Sequence, residues 1–283
     1  MKKIITFVVL HYEALNDTIE CVDSLMKLRS HSGYSIKIII VDNGSTNNSL
    51  GKLKIKYRDY SDIIMIESKK NIGFSKGNNL GFEYAKDKFQ SSFIILINND
   101  TVVYQEYFCD VLVNLYNKYS YAVLGPDIIT KNGSHQNPFP HKVWTKKSLR
   151  KVRMKQSIKL AFVKIYADKL LNWGAIKKVV NVNFTSEDIL ETPVHGACLI
   201  FSPKYISKFD GLCPDTFLYM EEEILWETLN ENDLLSMYSP SLSIFHKEDG
   251  ATNIVQKSTR SRKINKLKYW IASSYVLERV ISK

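Results

Sequence analysis

Short apolar runs alternate with stretches of helical periodicity through the first 125 residues. Ile4–Leu10, Ile36–Val41, Ile63–Ile66 and Phe93–Ile97 are apolar along nearly their whole length, the pattern of strands buried on both faces of a parallel sheet. Asn16–Leu28, Asn48–Tyr60 and Lys76–Lys88 between them, and Tyr104–Tyr119 after the fourth, carry helical spacing. That order predicts a right-handed, doubly wound α/β fold: a Rossmann-like, mostly parallel sheet with helices on both faces, binding ligands beyond the carboxyl ends of its strands. After Gly125 and Pro126 the regularity fades. Lys131–His141 is rich in Gly, Asn and Pro and reads as a loop, and 141–180 has mixed helical periodicity. Val194–Ser202 is expected as a strand, Tyr219–Asn230 as a helix, Leu242–Phe245 as a last short strand, and the chain from about Ser258 as a basic terminal helix.

Polar clusters fall at the ends of these runs. In IIIVDNGST the apolar run ends in Asp42, followed by the turn Asn43, Gly44, Ser45 and Thr46. A carboxylate there accepts from a nucleobase N–H or a ribose hydroxyl; it equally suits a helix cap. In NIGFSKGNNLG, Gly73 and Gly77 allow close backbone approach at a helix start whose amides suit phosphate or sugar oxygens, and Lys76 adds positive charge. The segment lacks the GxGxxG fingerprint and also fits a plain turn. In LINNDTVV the strand runs into Asn98, Asn99 and Asp100. A hard divalent cation, held by one carboxylate and by substrate phosphates, gives such a triplet a purpose; Asp100 as a helix cap is the alternative.

FLYMEEEILW places Glu221, Glu222 and Glu223 in succession. Consecutive helical residues point about 100° apart, so at most one or two face a common site. A carboxylate there can act as general base, or all three can lie on a solvated helix N-terminus. His246, after the last strand, is either a structural histidine or a ligand.

Composition narrows the class. With 45% apolar and 12% aromatic residues, 283 residues build a sizeable core, which excludes a disordered chain. Cys21, Cys109, Cys198 and Cys213 form no CxxC pair, so zinc and dithiol chemistry lack support and a reducing, cytoplasmic setting follows. The start imitates a signal peptide, but its apolar run is short and no small-residue cleavage site follows. No stretch approaches the roughly 20 apolar residues of a transmembrane helix.

The formal net charge is +10. Residues 141–180 hold twelve Lys or Arg against Asp168, and residues 255–283 hold eight against Glu278, so the rest of the chain is net acidic. A nucleic-acid-binding module would explain the excess, but no RRM, KH or helix-turn-helix pattern is present, and no nucleic acid is expected as partner. In the tail, Ile264, Leu267, Trp270, Ile271, Tyr275, Val276 and Leu277 recur among basic residues, a pattern suited to anionic lipid. Trp144, Phe162 and Trp173 give 141–180 similar means. A solvated helix face or a homo-oligomer interface are the other readings of these segments.

Taken in order, FVVLHYEALNDTIECVDSL, IIIVDNGSTNNS, NIGFSKGNNLGFEYA, FIILINNDTVV, HGACLIFSP, FDGLCPDTFLYMEEEILWETL and IFHKEDGAT resemble family 2 glycosyltransferases of GT-A fold, especially the bacterial branch labelled rhamnosyltransferase-like. They cover most of residues 4–252. The resemblance implies an inverting glycosyltransferase that uses Mg2+ or Mn2+ and a UDP- or dTDP-sugar. Its acceptor would be a lipid-linked saccharide in bacterial surface polysaccharide synthesis, with a cytoplasmic enzyme in peripheral contact with the inner face of the cell membrane.

The resemblance also assigns residues. Asp42 would recognise the nucleotide base, with His11, Tyr12 and Glu13 beside it, and the loop holding Asn71, Gly73, Phe74, Lys76 and Asn79 would line the donor. Asn98 and Asp100 match the outer positions of a DxD-like motif, with Asn99 between them and Asp100 the metal contact. Asn98 departs from the usual acid, which leaves it between metal and ribose. Glu222 matches the catalytic base, with Glu221 its competitor. His246 resembles a histidine near the metal or diphosphate, and His195, Gly196 and Ala197 lie on the acceptor side. Residues 1–255 would form the GT-A domain, with 1–125 binding donor and 126–255 acceptor, and 256–283 a basic amphipathic C-terminal helix. A sugar nucleotidyltransferase is the rival enzyme class, but the turn HYEALND lacks the glycine-rich loop that class places after its first strand.

Overall fold

The computed structural model describes residues 3–31, 33–140, 142–166, 184–248 and 259–281. Its first half is built around β1 (Lys3–His11), which pairs in parallel with β2 (Tyr34–Asp42) and β4 (Phe93–Asn98), while β2 pairs in parallel with β3 (Ile63–Glu67). Helices α1 (Leu15–Leu25), α2 (Ser49–Tyr57) and α3 (Phe74–Asp87) connect them. The register sets His11 opposite Asp42 and Leu10 opposite Asn98, so the polar clusters leave the sheet at one edge.

Beyond β4 the sheet becomes mixed. Its order continues through β8 (Cys198–Phe201), β6 (Val123–Thr130), β9 (Ser236–His246) and β5 (Thr101–Val102), with β7 (Ile189–Leu190) also on β9. β8 is antiparallel to both β4 and β6, whereas β6 and β9 are parallel. Helices α4 (Phe108–Tyr119), α5 (Lys146–Lys164), α6 (Pro203–Ile206), α7 (Glu221–Glu231) and α8 (Thr259–Val280) complete the described elements.

The period-2 alternation of each central strand feeds two cores. Ile5, Phe7 and Val9 join Ile38, Ile40 and Ile95 under Val22, Leu53 and Leu112 of α1, α2 and α4. Val8, Ile39 and Leu96 point the other way, against Phe82 of α3 and Leu225 of α7. Burial on both faces explains why these strands are largely apolar, each such apolar side chain contributing about 1.5–3 kcal/mol.

The second half differs from the sequence expectation in three places. β6 runs on through Gly125 and Pro126 to Thr130, and Gly125 is required there because a Cβ would lie 2.6 Å from Val194. Its pairing with β9 shifts between Pro126 and Asp127, where the partner skips from Ser239 to Ser243, so Pro240 falls in an irregularity that tolerates a missing N–H. Only Cys198–Phe201 of the expected Val194–Ser202 is strand, and β9 begins six residues before Leu242 because buried Ser236 and Ser239 disguise its apolar side.

The terminal helix also differs from a free amphipathic tail. Leu267, Val276 and Leu277 are buried, and Val276 and Leu277 form a third core with Leu149 of α5 and Met220 and Ile224 near α7. Ile264, Trp270 and Ile271 are half-buried, leaving Tyr275 as the exposed member of the stripe. Glu278 receives Arg150 and Arg153 of α5. The apolar stripe read from the tail is therefore largely spent on packing. Trp144 is half-buried near Trp270, Phe162 is half-buried, and Trp173 lies outside the described residues. No described helix is long and apolar enough to cross a membrane.

Candidate active site

A cavity of about 330 Å3 opens where β1, β2 and β4 end. Tyr12, Asn71, Gly73 and Phe74 line it on the first side, Asn98, Asn99 and Asp100 at its floor, and His195, Gly196, Ala197, Glu221 and Glu222 opposite. These twelve were all expected at the site. A larger cavity of about 920 Å3 lies between α1 and Val102–Glu106, and it contains none of the candidate residues.

The other candidates lie elsewhere. His11 is fully buried behind the wall, its Nδ1 2.7 Å from Thr18 Oγ1 and its Nε2 2.7 Å from Ser49 Oγ. Burial holds its pKa down, against the opposing pull of Asp42 and Glu13. It braces the strand end. Glu13 holds the neighbouring turn, accepting at Oε1 from Thr46 Oγ1 at 2.8 Å and at its carbonyl from Asn47 at 2.8 Å. Asn79 exchanges two hydrogen bonds with the Leu212 backbone, at 2.7 and 2.8 Å, so its amide pins a loop and does not line the cavity. Lys76 is exposed and outside the cavity wall.

Asp42 is 3% exposed. It is not among the residues lining the cavity: its Oδ2 accepts from the Ser45 N–H at 3.1 Å, while Oδ1 is buried with no hydrogen-bond partner, 3.9 Å from His11 Nε2. A buried acceptor left unpaired is costly, so Oδ1 is suited to an incoming N–H or O–H.

Asn43, which local spacing marks only as a turn residue, joins the turn after β2 to the Asn71–Phe74 loop. Its Oδ1 accepts from the Ile72 N–H at 3.0 Å, and its Nδ2 donates to Asn71 Oδ1 at 3.2 Å and to the Gly73 carbonyl at 3.1 Å. Gly73 has φ +92, and a Cβ there would sit 2.6 Å from the Phe217 carbonyl oxygen, which accepts from the Phe74 N–H at 2.8 Å. The donor-side loop thus leans directly on the segment before α7.

That segment, Phe217–Tyr219, forms a wall that no spacing argument had marked. Tyr219 and Met220 both have positive φ, +76 and +68, an unfavourable region for bulky residues that persists only when the surroundings enforce it. The C-terminal helix supplies the enforcement: Ser273 Oγ donates to the Leu218 carbonyl at 2.9 Å, and Arg279 pairs with Asp215 at 2.8 Å.

Glu222 Oε1 accepts from the Gly196 N–H at 3.2 Å, joining α7 to the turn before β8. Glu221 is 8% exposed with Oε1 unpartnered, and burial, reinforced by the charge of Glu222, pushes its pKa up to about 8. Glu223, off the cavity wall, is pushed up to about 7 by burial and the same neighbour. His195 Nδ1 accepts from the Ala197 N–H at 3.0 Å, which leaves the hydrogen on Nε2, and burial lowers its pKa against the pull of Glu222.

His246 stands behind Asp100, its Nε2 3.3 Å from Asp100 Oδ1 and its Nδ1 2.7 Å from Gln136 Oε1. With Nδ1 engaged by the Gln136 amide oxygen, Nε2 is directed at Asp100 Oδ1, so an imidazole nitrogen and a carboxylate oxygen converge on one point. A partner on the second ring nitrogen is what metal-binding histidines use to fix their tautomer. The pair therefore fits a divalent cation. Among the described residues no group of three His, Cys, Asp or Glu gathers at one point, so diphosphate and water would complete the shell.

Residues 6–176, well over half of the chain, match the family model described as Glycosyl transferase family 2. The chain belongs to this family. Among relatives of this family 2 protein, the low-salt glycan biosynthesis hexosyltransferase Agl10 of Haloferax volcanii is 25% identical over 118 residues, 42% of this chain and 36% of the relative. The chain thus matches little more than a third of that protein's length. S. aureus TarS superposes on 87% of the chain and 37% of its own, at a TM-score of 0.54 and 15% identity. A TarS 1–349 complex with UDP covers 98% of this chain and 66% of its own, at 0.54 and 13%. GalNAc-T7 with UDP, GalNAc and Mn2+ covers 94% and 47%, at 0.59 and 10%. At these identities the likeness is one of fold, and it is the GT-A fold.

Proposed function

We propose that this protein is a metal-dependent inverting glycosyltransferase that moves a hexosyl group from a UDP- or dTDP-sugar to a saccharide acceptor in bacterial surface polysaccharide synthesis. The acceptor is lipid-linked and is met by peripheral contact of a cytoplasmic enzyme with the anionic inner face of the membrane. In this reading residues 1–125 hold the donor, 126–255 the acceptor, and 256–283 close the second half. The observation that carries the proposal is the cavity itself, in which Asp100 and the Glu221–Glu222 pair approach from separate elements of a family 2 chain. The UDP in the TarS and GalNAc-T7 complexes, the Mn2+ in the latter, and the likeness to the hexosyltransferase Agl10 support it.

The roles follow from chemistry. Asp42 Oδ1 takes an N–H of the base, and Asn43 keeps the Asn71–Phe74 loop against the nucleotide. Mg2+ or Mn2+ on Asp100 and His246 would neutralise charge on the leaving diphosphate. A general base must be ionised; Glu221, with its pKa near 8, keeps its proton at neutral pH, which favours Glu222 as the base. Glu222 removes the proton of the attacking hydroxyl as the new C1–O bond forms and the C1–O bond to diphosphate breaks on the opposite face, inverting the centre. Glu221, neutral, can donate a hydrogen bond to the acceptor.

UDP-, dTDP- and GDP-sugars, each with Mg2+ or Mn2+, test the reading. One of them should raise the melting temperature by mass action and yield a product of inverted anomeric configuration by NMR. No stabilisation by any donor counts against it.

A further inference from the structure

We infer that the outer face of α5 is the surface with which the protein rests on an anionic lipid bilayer; this builds on the membrane-linked acceptor of the preceding proposal and moves the contact away from the tail. Between Lys146 and Lys164 the helix carries eight basic residues and no acid. Leu149, Arg153 and Val163 turn inward, and Arg150 and Arg153 are paired with Glu278 of α8. On the opposite side Met154, Ile158 and Ile165 are 60%, 41% and 69% exposed.

At about 100° per residue Met154 and Ile158, with Ile165 just past the helix end, fall within one narrow sector that exposed Lys147 shares, with Lys151 and Lys155 along one flank and Arg150, Lys146 and Lys164 along the other. A helix that packs by one face ordinarily turns polar residues to water. Here exposed aliphatic side chains share the outward face with lysines, so the partner must offer an apolar interior beneath negative charge, as a bilayer of acidic lipid does. A second copy meeting the first face to face would set two all-basic helices against each other, which charge repulsion opposes. The tail helix adds exposed Arg262, Lys263 and Lys268 to the positive field, but its own apolar positions are mostly covered.

The placement is useful to the chemistry. α5 packs along α8, and α8 carries the contacts that hold Phe217–Tyr219 at the cavity. A lipid-borne saccharide would reach the acceptor side from a membrane lying one helix away.

The test uses the full chain with vesicles of phosphatidylcholine alone or mixed equally with phosphatidylglycerol. Wild-type protein should sediment with the mixed vesicles at low salt, stay in solution with phosphatidylcholine, and be released at high salt as screening shortens the field. Met154→Ser, Ile158→Ser and Ile165→Ser together should lower the bound fraction on the order of tenfold while leaving donor-dependent thermal stabilisation unchanged, since none lines the cavity. Undiminished sedimentation of the triple variant overturns the assignment. So does equal binding to neutral vesicles, or a wild-type dimer that the triple variant dissociates. Vesicle binding that persists in a protein no donor stabilises supports the docking face and counts against the transferase reading; donor stabilisation without vesicle binding overturns the docking face alone.

Discussion

The Phe217 ring on the cavity wall lies stacked on the Tyr269 ring of the terminal helix, with centroids 4.5 Å apart and planes 23° from parallel. The Phe217 carbonyl in turn accepts from the Phe74 N–H of the donor-side loop at 2.8 Å. One residue therefore couples the C-terminal helix to both sides of the site, and the basic tail is part of the site's support.

Tyr269→Ala should lower kcat/KM about 3- to 10-fold, the equivalent of one aromatic contact, with Tyr269→Phe close to wild type because the stack needs only the ring. Steady-state kinetics with the best donor checks this. Equal activity in the Ala variant would mean that the wall holds without the helix.

Glu222→Gln should reduce kcat by about 10²- to 10⁴-fold while leaving the donor affinity unchanged, because the amide keeps the contact with the Gly196 N–H but cannot accept a proton. Isothermal titration with the donor, beside turnover, separates the two effects. If Glu221→Gln is the variant that loses turnover, the roles of the two acids are exchanged.

Glu221 also makes a prediction about stability. Its folded pKa, about 8, lies above its ordinary value of 4.5, so the folded state binds the proton more tightly than the unfolded chain. Its contribution is full below about pH 4.5 and is lost as pH rises through about 8. Glu221→Gln removes that slope and should be more stable than wild type at about pH 8.5, on the order of 1–3 kcal/mol, with the difference shrinking toward pH 5. Urea unfolding at several pH values reads it directly, and a pH-independent difference would contradict the buried-acid account.

Asp100→Asn should abolish metal-dependent donor binding with little change in melting temperature, and His246→Ala should weaken the apparent Mn2+ affinity about 10- to 100-fold. Titrating Mn2+ against donor-dependent thermal stabilisation distinguishes them. Unaltered Mn2+ response in both variants would place the cation elsewhere.

Gly73→Ala should destabilise the protein by about 1–3 kcal/mol and impair donor binding, because the residue combines φ +92 with a Cβ position 2.6 Å from the Phe217 carbonyl. Thermal unfolding measures the first effect and donor titration the second. Wild-type stability would show that the loop can re-route.

Periodicity alone identifies β1 to β4 and the three helices that connect them, because strands buried on both faces carry few polar positions to confuse the pattern, and polar residues gather where such strands end. For the same reason Asn98 and Asp100 are legible at the strand end where the cavity opens, whereas Glu221 and Glu222 reach the same cavity from the start of α7. The second half resists such reading: β9 hides its buried side behind hydrogen-bonded serines, and β6 continues through a glycine and a proline that locally signal an ending. Local sequence likewise cannot distinguish Asn71, in the loop that lines the cavity, from Asn79 within α3, whose amide is consumed by Leu212. The largest reassignment concerns the two basic segments, which share a composition of lysine and aliphatic residues. Which aliphatic face is buried and which is exposed depends on the partner each helix meets. α8 finds α5 and α7 and covers its stripe, while α5 spends its inner face on α8 and leaves Met154, Ile158 and Ile165 outside. That choice is made by packing between segments more than a hundred residues apart, which composition and spacing do not encode.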